Sequence, residues 1–177
     1  MANYFEFVSK YEDCGLPLPQ PATSGSAGLD LRAAEEIVVP PFMSKYGQYP
    51  KGDGANTLEE NEENIKNIFG KLTMVSTGLK VHLDEGYYLA ITPRSSMPLK
   101  QWLFVGNTQA VVDRDYYDNP DNEGEIFIQL INMTPNPILI KKGDRIGQAL
   151  FIPYVLPENV KPENEARIGG HGSTGTK

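Results

Sequence analysis

Short apolar stretches recur along the chain, either as alternating apolar and polar positions or as brief apolar runs. They lie at residues 4–8, 37–39, 72–83, 87–91, 110–112, 126–131, 138–140 and 146–152. Turn residues bound most of them, as in "DEG" at 84–86 and "KKGD" at 141–144, and the latter is expected to be a hairpin turn between two strands. This pattern predicts an all-β fold, either a barrel or a jelly roll.

One segment, residues 45–70, departs from the strand pattern and contains the only helix that the sequence predicts. Thr57 and Glu60 have the spacing of a capping box, and Gly70 suits the end of a helix. We expect a short helical insertion between two strands that leaves the order of the sheet intact. A lid, a contact between subunits and a solvated decoration are all open interpretations of it.

Composition agrees with many short strands in a single domain. The 177 residues include 17 Gly and 14 Pro, whereas an average chain of this length has roughly 21 of the two together. Hydrophobic residues make up 40% of the chain, which is enough for a core without disulfides or a structural metal. Cys14 is the only cysteine, so no internal disulfide can form.

Charge and hydropathy limit the partners of the chain. No apolar run approaches the ~20 residues that span a bilayer, and the N-terminus lacks the apolar core of a signal peptide, so a cytoplasmic protein is expected. The formal net charge of -7 disfavours a broad nucleic-acid-binding surface, which is usually basic. A small anionic ligand is compatible with this charge, because a few local cations, backbone amides and a divalent metal can hold one.

Two stretches in the first hundred residues combine charged groups with small residues. In "SAGLDLRA" at 26–33, Asp30 lies between two leucines, so its carboxylate needs a cation, backbone donors or a metal as a partner. In "ITPRSSMPL" at 91–99, Arg94, Ser95 and Ser96 follow a predicted strand, and this combination suits phosphate oxygens. A turn-capping Asp and an ordinary strand end are the structural alternatives.

The stretch "VGNTQAVVDRDYYD" at 105–118 is the most informative. Asn107 can offer a donor and an acceptor to the edge of a base, and the apolar run at 110–112 leads directly to Asp113. A carboxylate at the end of a buried strand is a candidate general base, because partial desolvation raises its pKa. A hairpin whose charges face water is the alternative interpretation.

Two stretches near the C-terminus complete the set. "KKGDRIGQALF" at 141–151 places Arg145 and Gln148 in an otherwise apolar strand, where an unpaired Gln148 would be costly. The tail "GGHGSTGTK" at 169–177 combines hydroxyls with glycines, whose backbone N–H groups can approach phosphate closely. His171 can stack on a base, although a frayed polar end would have the same composition.

In this order the five stretches resemble the five motifs of the trimeric dUTP pyrophosphatase (dUTPase) family: "AGLDL", "PRSSM", "GNTQAVVDRDY", "DRIGQALF" and "GGHGSTG". The resemblance implies the distorted jelly roll, or β-clip barrel, of that family over residues 1–164, with a smaller insertion at about 119–124. It also implies a mobile arm at 165–177 and a homotrimer with shared active sites, over which the arm closes. The implied reaction is Mg²⁺-dependent hydrolysis of dUTP to dUMP and pyrophosphate, which limits uracil incorporation into DNA and supplies dUMP for dTMP synthesis.

The resemblance also implies a role for each matching residue. Asp113 matches the base that activates water for attack on the α-phosphorus, Tyr116 the aromatic residue on the deoxyribose, and Asp30 an acid near Mg²⁺ that acts through water. Uracil recognition is implied for the hairpin, at Asn107, Ala110 and Val112. Phosphate contacts are implied for the serine turn, the fourth motif and the arm, at Arg94, Ser95, Ser96, Gln148, Arg167, Gly172, Ser173 and Thr174.

Two positions in the arm depart from the family pattern, and two alternative functions stay open. Arg167 stands one place later than the family's arginine, so its reach to the γ-phosphate is in question. His171 replaces the usual Phe, and we expect it to stack on uracil with weaker apolar burial. A dCTP deaminase of the same fold would need Glu where Gln129 stands. A nucleotide-sensing module without catalysis is the other alternative.

Overall fold

In this computed structural model, the structure describes residues 2–42 and 72–161, where short β-strands are the main regular elements. Three single helical turns, at Ser9–Tyr11, Met97–Gln101 and Arg114–Tyr116, separate some of them. The strands are β1 (Tyr4–Phe7), β2 (Leu29–Arg32), β3 (Ile37–Val39), β4 (Thr73–Ser76), β5 (Leu79–His82), β6 (Tyr87–Thr92), β7 (Leu103–Val105), β8 (Ala110–Val112), β9 (Phe127–Asn132), β10 (Ile138–Ile140) and β11 (Arg145–Pro153). The predicted all-β class is confirmed.

Each predicted apolar stretch contains at least one strand, and the stretch at 72–83 contains two. Gly78 separates β4 from β5 with a φ of +67°, in the left-handed region that suits glycine. Two strands, β2 and β7, are missing from the prediction. β2 alternates leucine and charged residues over only four positions, and β7 has only three residues.

The strands pair antiparallel in small sheets that pack around one main core. The largest has the order β2-β11-β6-β8, and the next has the order β4-β9-β7. Pairs β1-β5 and β10-β3 extend the packing at the sides. Side chains that are at most 1% exposed come from several of these sheets, including Leu31, Leu89, Ile128, Ile146 and Ala149. Burial of these apolar side chains holds the sheets face to face.

Residues 141–144 form a turn as predicted, but the prediction that this turn joins two paired strands of a hairpin is wrong. Asp144 N–H donates to the Lys141 carbonyl at 3.0 Å, and Lys141 N–H donates to Asp144 Oδ2 at 2.9 Å, so the chain reverses tightly here. However, β10 pairs with β3, whereas β11 pairs with β2 and β6. The turn therefore connects two sheets, because local residues determine a turn and distant residues determine strand partners.

Some predictions fall outside the described residues. These are the helical insertion at 45–70 and the arm at 165–177, with Arg167, His171, Gly172, Ser173 and Thr174. Within residues 2–42 and 72–161, none of the helical turns has the length and apolar character that crossing a membrane requires.

Candidate active site

A pocket of about 330 Å³ lies where β2, β11 and the end of β6 meet. Asp30 on β2 is directly opposite Gln148 on β11, and Gln148 is directly opposite Thr92 on β6. Directly opposite side chains on antiparallel strands share a face, so Asp30 and Gln148 project together. We call this cavity the Asp30 pocket, and its lining residues are Ala22, Ser26, Ala27, Gly28, Asp30, Arg94, Ser95 and Gln148.

Two arginines bind the carboxylate of Asp30. Arg94 Nε donates to Asp30 Oδ1 at 2.7 Å, and Arg145 Nη1 donates to Oδ2 at 3.1 Å. The Asp30 side chain is only 15% exposed, so it has the cationic partners that its position between two leucines requires. Because Nε is one of the five N–H groups of a guanidinium, this contact orients Arg94 and leaves further donors for an anion.

The serine turn after β6 contributes one of its two serines to the pocket. Ser95 is exposed and lines the Asp30 pocket directly after Arg94. Ser96 is half-buried and precedes the helical turn Met97–Gln101, and Met97 N–H donates to the Arg94 carbonyl at 2.9 Å. This turn places Arg94 and Ser95, which come after β6, at the wall of the pocket.

Gln148 is held between backbone groups of two different motifs. Its Nε2 donates to the Pro93 carbonyl at 3.4 Å, which is at the long limit for a hydrogen bond. On the other side, a Cβ atom placed on Gly28 would lie 2.6 Å from Gln148 Oε1. Only glycine therefore leaves room for this position of the carboxamide. Sequence reasoning did not select Gly28, although the run of small residues at 24–28 is a signal of close approach.

The loop between β7 and β8 lies apart from this pocket, and the expected hairpin is wrong here too, because β7 pairs with β9 and β8 pairs with β6. Gly106 N–H donates to the Gln129 carbonyl at 2.8 Å, and Thr108, with φ +54°, donates its N–H to the Val105 carbonyl at 3.0 Å. Asn107 at the tip is exposed, as the predicted base-reading role requires. Ala110 and Val112 in β8 are half-buried.

The expected burial of the strand before Asp113 is wrong for a single chain. Val111 is 57% exposed and Asp113 is exposed, because β8 is an edge strand among the described residues, with β6 as its neighbour on one side. The backbone of Asp113 stays extended before the helical turn Arg114–Tyr116. Asp113 is thus presented to solvent at the rim of the four-stranded sheet.

Sheet register separates Asp113 from the Asp30 pocket. Val112 is opposite Leu89, so the next position, Asp113, lies level with Tyr88, whereas Gln148 is opposite Thr92. Four residues along a strand correspond to about 13 Å, and the two strand spacings between β8 and β11 add about 10 Å in the perpendicular direction. The structure therefore brings together Asp30, Arg94 and Gln148, and it does not bring Asp113 of the same chain to them.

Tyr116 is buried in the helical turn that follows β8. It is 5% exposed, its hydroxyl donates to the Glu125 carbonyl at 3.1 Å, and Asn122 Nδ2 donates to the hydroxyl oxygen at 2.7 Å. Nearby, Lys80 Nζ lies 2.5 Å from Asp118 Oδ1, and this contact raises the pKa of Lys80. Sequence reasoning missed Asn122, because it falls in a segment that was considered only as an insertion.

Comparisons with known proteins agree with the motifs. A family model described as dUTPase matches residues 60–176. The deoxyuridine 5'-triphosphate nucleotidohydrolase of Lactococcus lactis is 36% identical over 172 residues, which are 97% of this chain and 96% of that protein. The enzyme of the same name from Dictyoglomus turgidum is 36% identical and covers 92% of this chain and 93% of its own length.

Solved structures agree as well. The dUTPase from Streptococcus mutans superimposes with a TM-score of 0.69 at 32% identity, over 88% of this chain and 98% of that chain. The dUTPase from phage phi11 of Staphylococcus aureus has a TM-score of 0.61 at 16% identity, over 93% of this chain and 97% of that chain, so it supports the fold alone. The resemblance predicted from the sequence motifs is confirmed, and this chain belongs to the dUTPase family.

Proposed function

We infer that this chain hydrolyses dUTP to dUMP and pyrophosphate, at sites that bind the phosphates in the Asp30 pocket. Family membership supports the reaction, since the Lactococcus lactis relative is a deoxyuridine 5'-triphosphate nucleotidohydrolase. The observation that carries the site assignment is the convergence of three motifs, far apart in the chain, on one pocket. Asp30, Arg94 and Gln148 all line it.

The pocket has the chemistry of a phosphate site. Arg94 offers a guanidinium, Ser95 a hydroxyl and Gln148 a carboxamide, and each can donate to phosphate oxygens. Asp30 holds Arg94 in a fixed orientation, so the cation does not have to be reorganised when negative charge builds up in the transition state. These groups stabilise the triphosphate during displacement at the α-phosphorus.

Asp113 is the general base of this mechanism and activates the attacking water. A base must lie within hydrogen-bond reach of the proton that it takes, and Asp113 lies too far from the Asp30 pocket of its own chain. A second subunit supplies the missing partner, with its Asp113 beside the pocket of the first. This separation supports the homotrimer with shared active sites that the family resemblance implies.

Asp30 would hold Mg²⁺ through water, and the substrate phosphates would supply its remaining ligands. The described residues contain no group of three or more His, Cys, Asp or Glu that could form a protein cage for a metal. Each Asp30 oxygen accepts one guanidinium bond and retains a lone pair for a water molecule. This donor set fits Mg²⁺, which usually keeps several waters. When bound, the ion would neutralise part of the phosphate charge.

The sugar and the base are bound by the loop between β7 and β8, by β8 and by the helical turn that follows it. Asn107 and the backbone near Ala110 and Val112 read uracil, and the ring of Tyr116 contacts the deoxyribose. The arm at 165–177 closes over the site, with phosphate donors at Arg167, Gly172, Ser173 and Thr174 and with His171 stacked on uracil. A cytoplasmic location suits this role in the nucleotide pool.

The proposed reaction is tested by product analysis of the purified chain with Mg²⁺. Pyrophosphate and nucleotide products are followed separately with dUTP, dCTP, dTTP and UTP. Release of dUMP and pyrophosphate from dUTP alone is expected. Deamination of dCTP would assign the chain to the deaminases, and the absence of turnover would favour a nucleotide-sensing module.

The shared site is tested by mixing two inactive variants. Asp113→Asn removes the base and leaves the pocket intact, whereas Arg94→Ala damages the pocket and leaves the base intact. Each variant alone is expected to be inactive, but every mixed trimer would combine an intact pocket with an intact Asp113 in one of its three sites, which is about a quarter of all sites after random assembly of equal amounts. If co-refolded subunits regain no activity, the site is contained in a single chain or the assignment of one residue is wrong.

A further inference from the structure

Residues 117–125 fold back beneath Tyr116 in a series of tight turns. Asn119 N–H donates to the Tyr116 carbonyl at 3.2 Å, Glu123 N–H donates to the Asn119 carbonyl at 2.7 Å, and Glu125 N–H donates to the Asn122 carbonyl at 3.0 Å. The segment at 119–124, expected as a small insertion, is therefore tied to the backbone of the residue that it follows.

Gly124 makes this packing possible. Its φ is +78°, and a Cβ atom at this position would lie 2.3 Å from the Tyr116 carbonyl oxygen. A side chain at position 124 would therefore require the left-handed conformation and a backbone shift together. The close approach indicates that the turns and the Tyr116 backbone form one rigid unit.

The side chain of Asn122 determines how the Tyr116 hydroxyl is bonded. Gly124 N–H can only donate, and it lies 3.1 Å from Asn122 Oδ1, so the amide oxygen faces Gly124 and Nδ2 faces Tyr116. The Tyr116 oxygen accepts from Nδ2 at 2.7 Å, and its own proton is directed to the Glu125 carbonyl at 3.1 Å. The phenol is thus held by one accepted and one donated bond.

We propose that Asn122 is a positioning residue that holds the ring of Tyr116 and thereby increases the discrimination between dUTP and UTP. The proposal rests on the proposed function, in which Tyr116 contacts the sugar. Only 5% of Tyr116 is exposed, so little of its surface is available to a ligand. Since packing against the sugar must exclude a single 2′-hydroxyl, a small displacement of the ring changes the selectivity.

The test compares kcat/KM for dUTP and for UTP in the parent and in Asn122→Ala. Loss of one hydrogen bond is expected to lower the dUTP-to-UTP ratio by about threefold to tenfold, with most of the change in the UTP reaction. Asp121→Ala is the matched control, because it alters a neighbouring exposed residue of the same turns. The control is expected to keep the ratio of the parent.

A second comparison uses the Tyr116→Phe background, which keeps the ring and removes the hydroxyl. If Asn122 acts through that hydroxyl, Asn122→Ala has no further effect on the ratio in this background. An undiminished effect there, or a parent-like ratio in the single variant, would overturn the role of Asn122. Absence of dUTP hydrolysis in the parent would instead refute the proposed function and, with it, this inference.

Discussion

Replacement of Gly28 by Ala is expected to inactivate the Asp30 pocket while the fold stays intact. The new Cβ would lie 2.6 Å from Gln148 Oε1, whereas ordinary contacts begin at 3.4 Å. The clash involves the far end of a flexible side chain, so the carboxamide can swing away without a backbone shift. It then leaves the place from which it would donate to phosphate.

The magnitude follows from the contacts that change. The fold loses the 3.4 Å bond from Gln148 to the Pro93 carbonyl, worth about 0.5–1.5 kcal/mol, while loss of chain entropy in the unfolded state returns about 0.4–1 kcal/mol. The net change in the free energy of unfolding is within about 1 kcal/mol, so Tm shifts by about 4 °C or less. Loss of one donor to transition-state charge lowers kcat by about 10²–10³ in an enclosed site. We expect kcat/KM to fall by about tenfold to a hundredfold here, a smaller loss because the pocket is open to water.

The assay is pyrophosphate release over a range of dUTP concentrations, together with thermal unfolding of the same preparations. Gly25→Ala is the control, because a Cβ at Gly25 has no atom within 4 Å. Gln148→Ala provides the reference for complete loss of the carboxamide. A kcat/KM within twofold of the parent in Gly28→Ala would refute the reasoning, and so would a fall in Tm of more than about 10 °C, which would indicate damage to the core.

Two further predictions concern charge. Asp30→Asn removes the anion that holds Arg94 and Arg145. We expect urea unfolding to show that the free energy of unfolding falls by about 1–2 kcal/mol, a small loss because the Arg145 side chain is 45% exposed. Unchanged stability would contradict a structural contribution of these ion pairs. Hydrogen bonds from the Ser9 hydroxyl and N–H lower the pKa of Glu123 below its usual 4.5, so their contribution to stability is present above that pH and is lost as pH falls through the folded pKa. Ser9→Ala should therefore flatten the dependence of Tm on pH below 4.5, and an unchanged slope would show that the hydroxyl has no part in it.

The strands could be predicted from the sequence because their signal is local. Apolar runs of three to six residues between turn residues identify β3, β8, β9 and β10 nearly to the residue. The prediction omits β2, although its four residues alternate between leucines and charged side chains. Four alternating positions are the shortest pattern that indicates a strand, so the local signal of β2 is weak.

Contacts between residues that are distant in the chain are harder to predict from the sequence. The position of Asp30 between leucines predicts that it needs a cation, backbone donors or a metal, and the structure supplies cations. Nothing local indicates that the cations are Arg94 and Arg145, which lie 64 and 115 residues further along. Their selection depends on the register of β11 with β2 and β6, which the whole sheet determines. The hairpin prediction for the turn at 141–144 failed for the same reason, because strand pairing depends on distant residues.

The family motifs identify residues that meet one ligand, but they carry no information on whether one chain supplies them all. The register answers that question for Asp113 and Gln148, which are four positions and two strand spacings apart. The edge strand that carries Asp113 is the natural place for a second chain to approach, because Val111 leaves apolar surface exposed there. A carboxylate that is too exposed for a base in one chain would be desolvated when that surface is covered. Under the proposed function, the exposure of Asp113 in a single chain therefore favours an assembly in which a neighbouring chain covers this edge and desolvates the carboxylate.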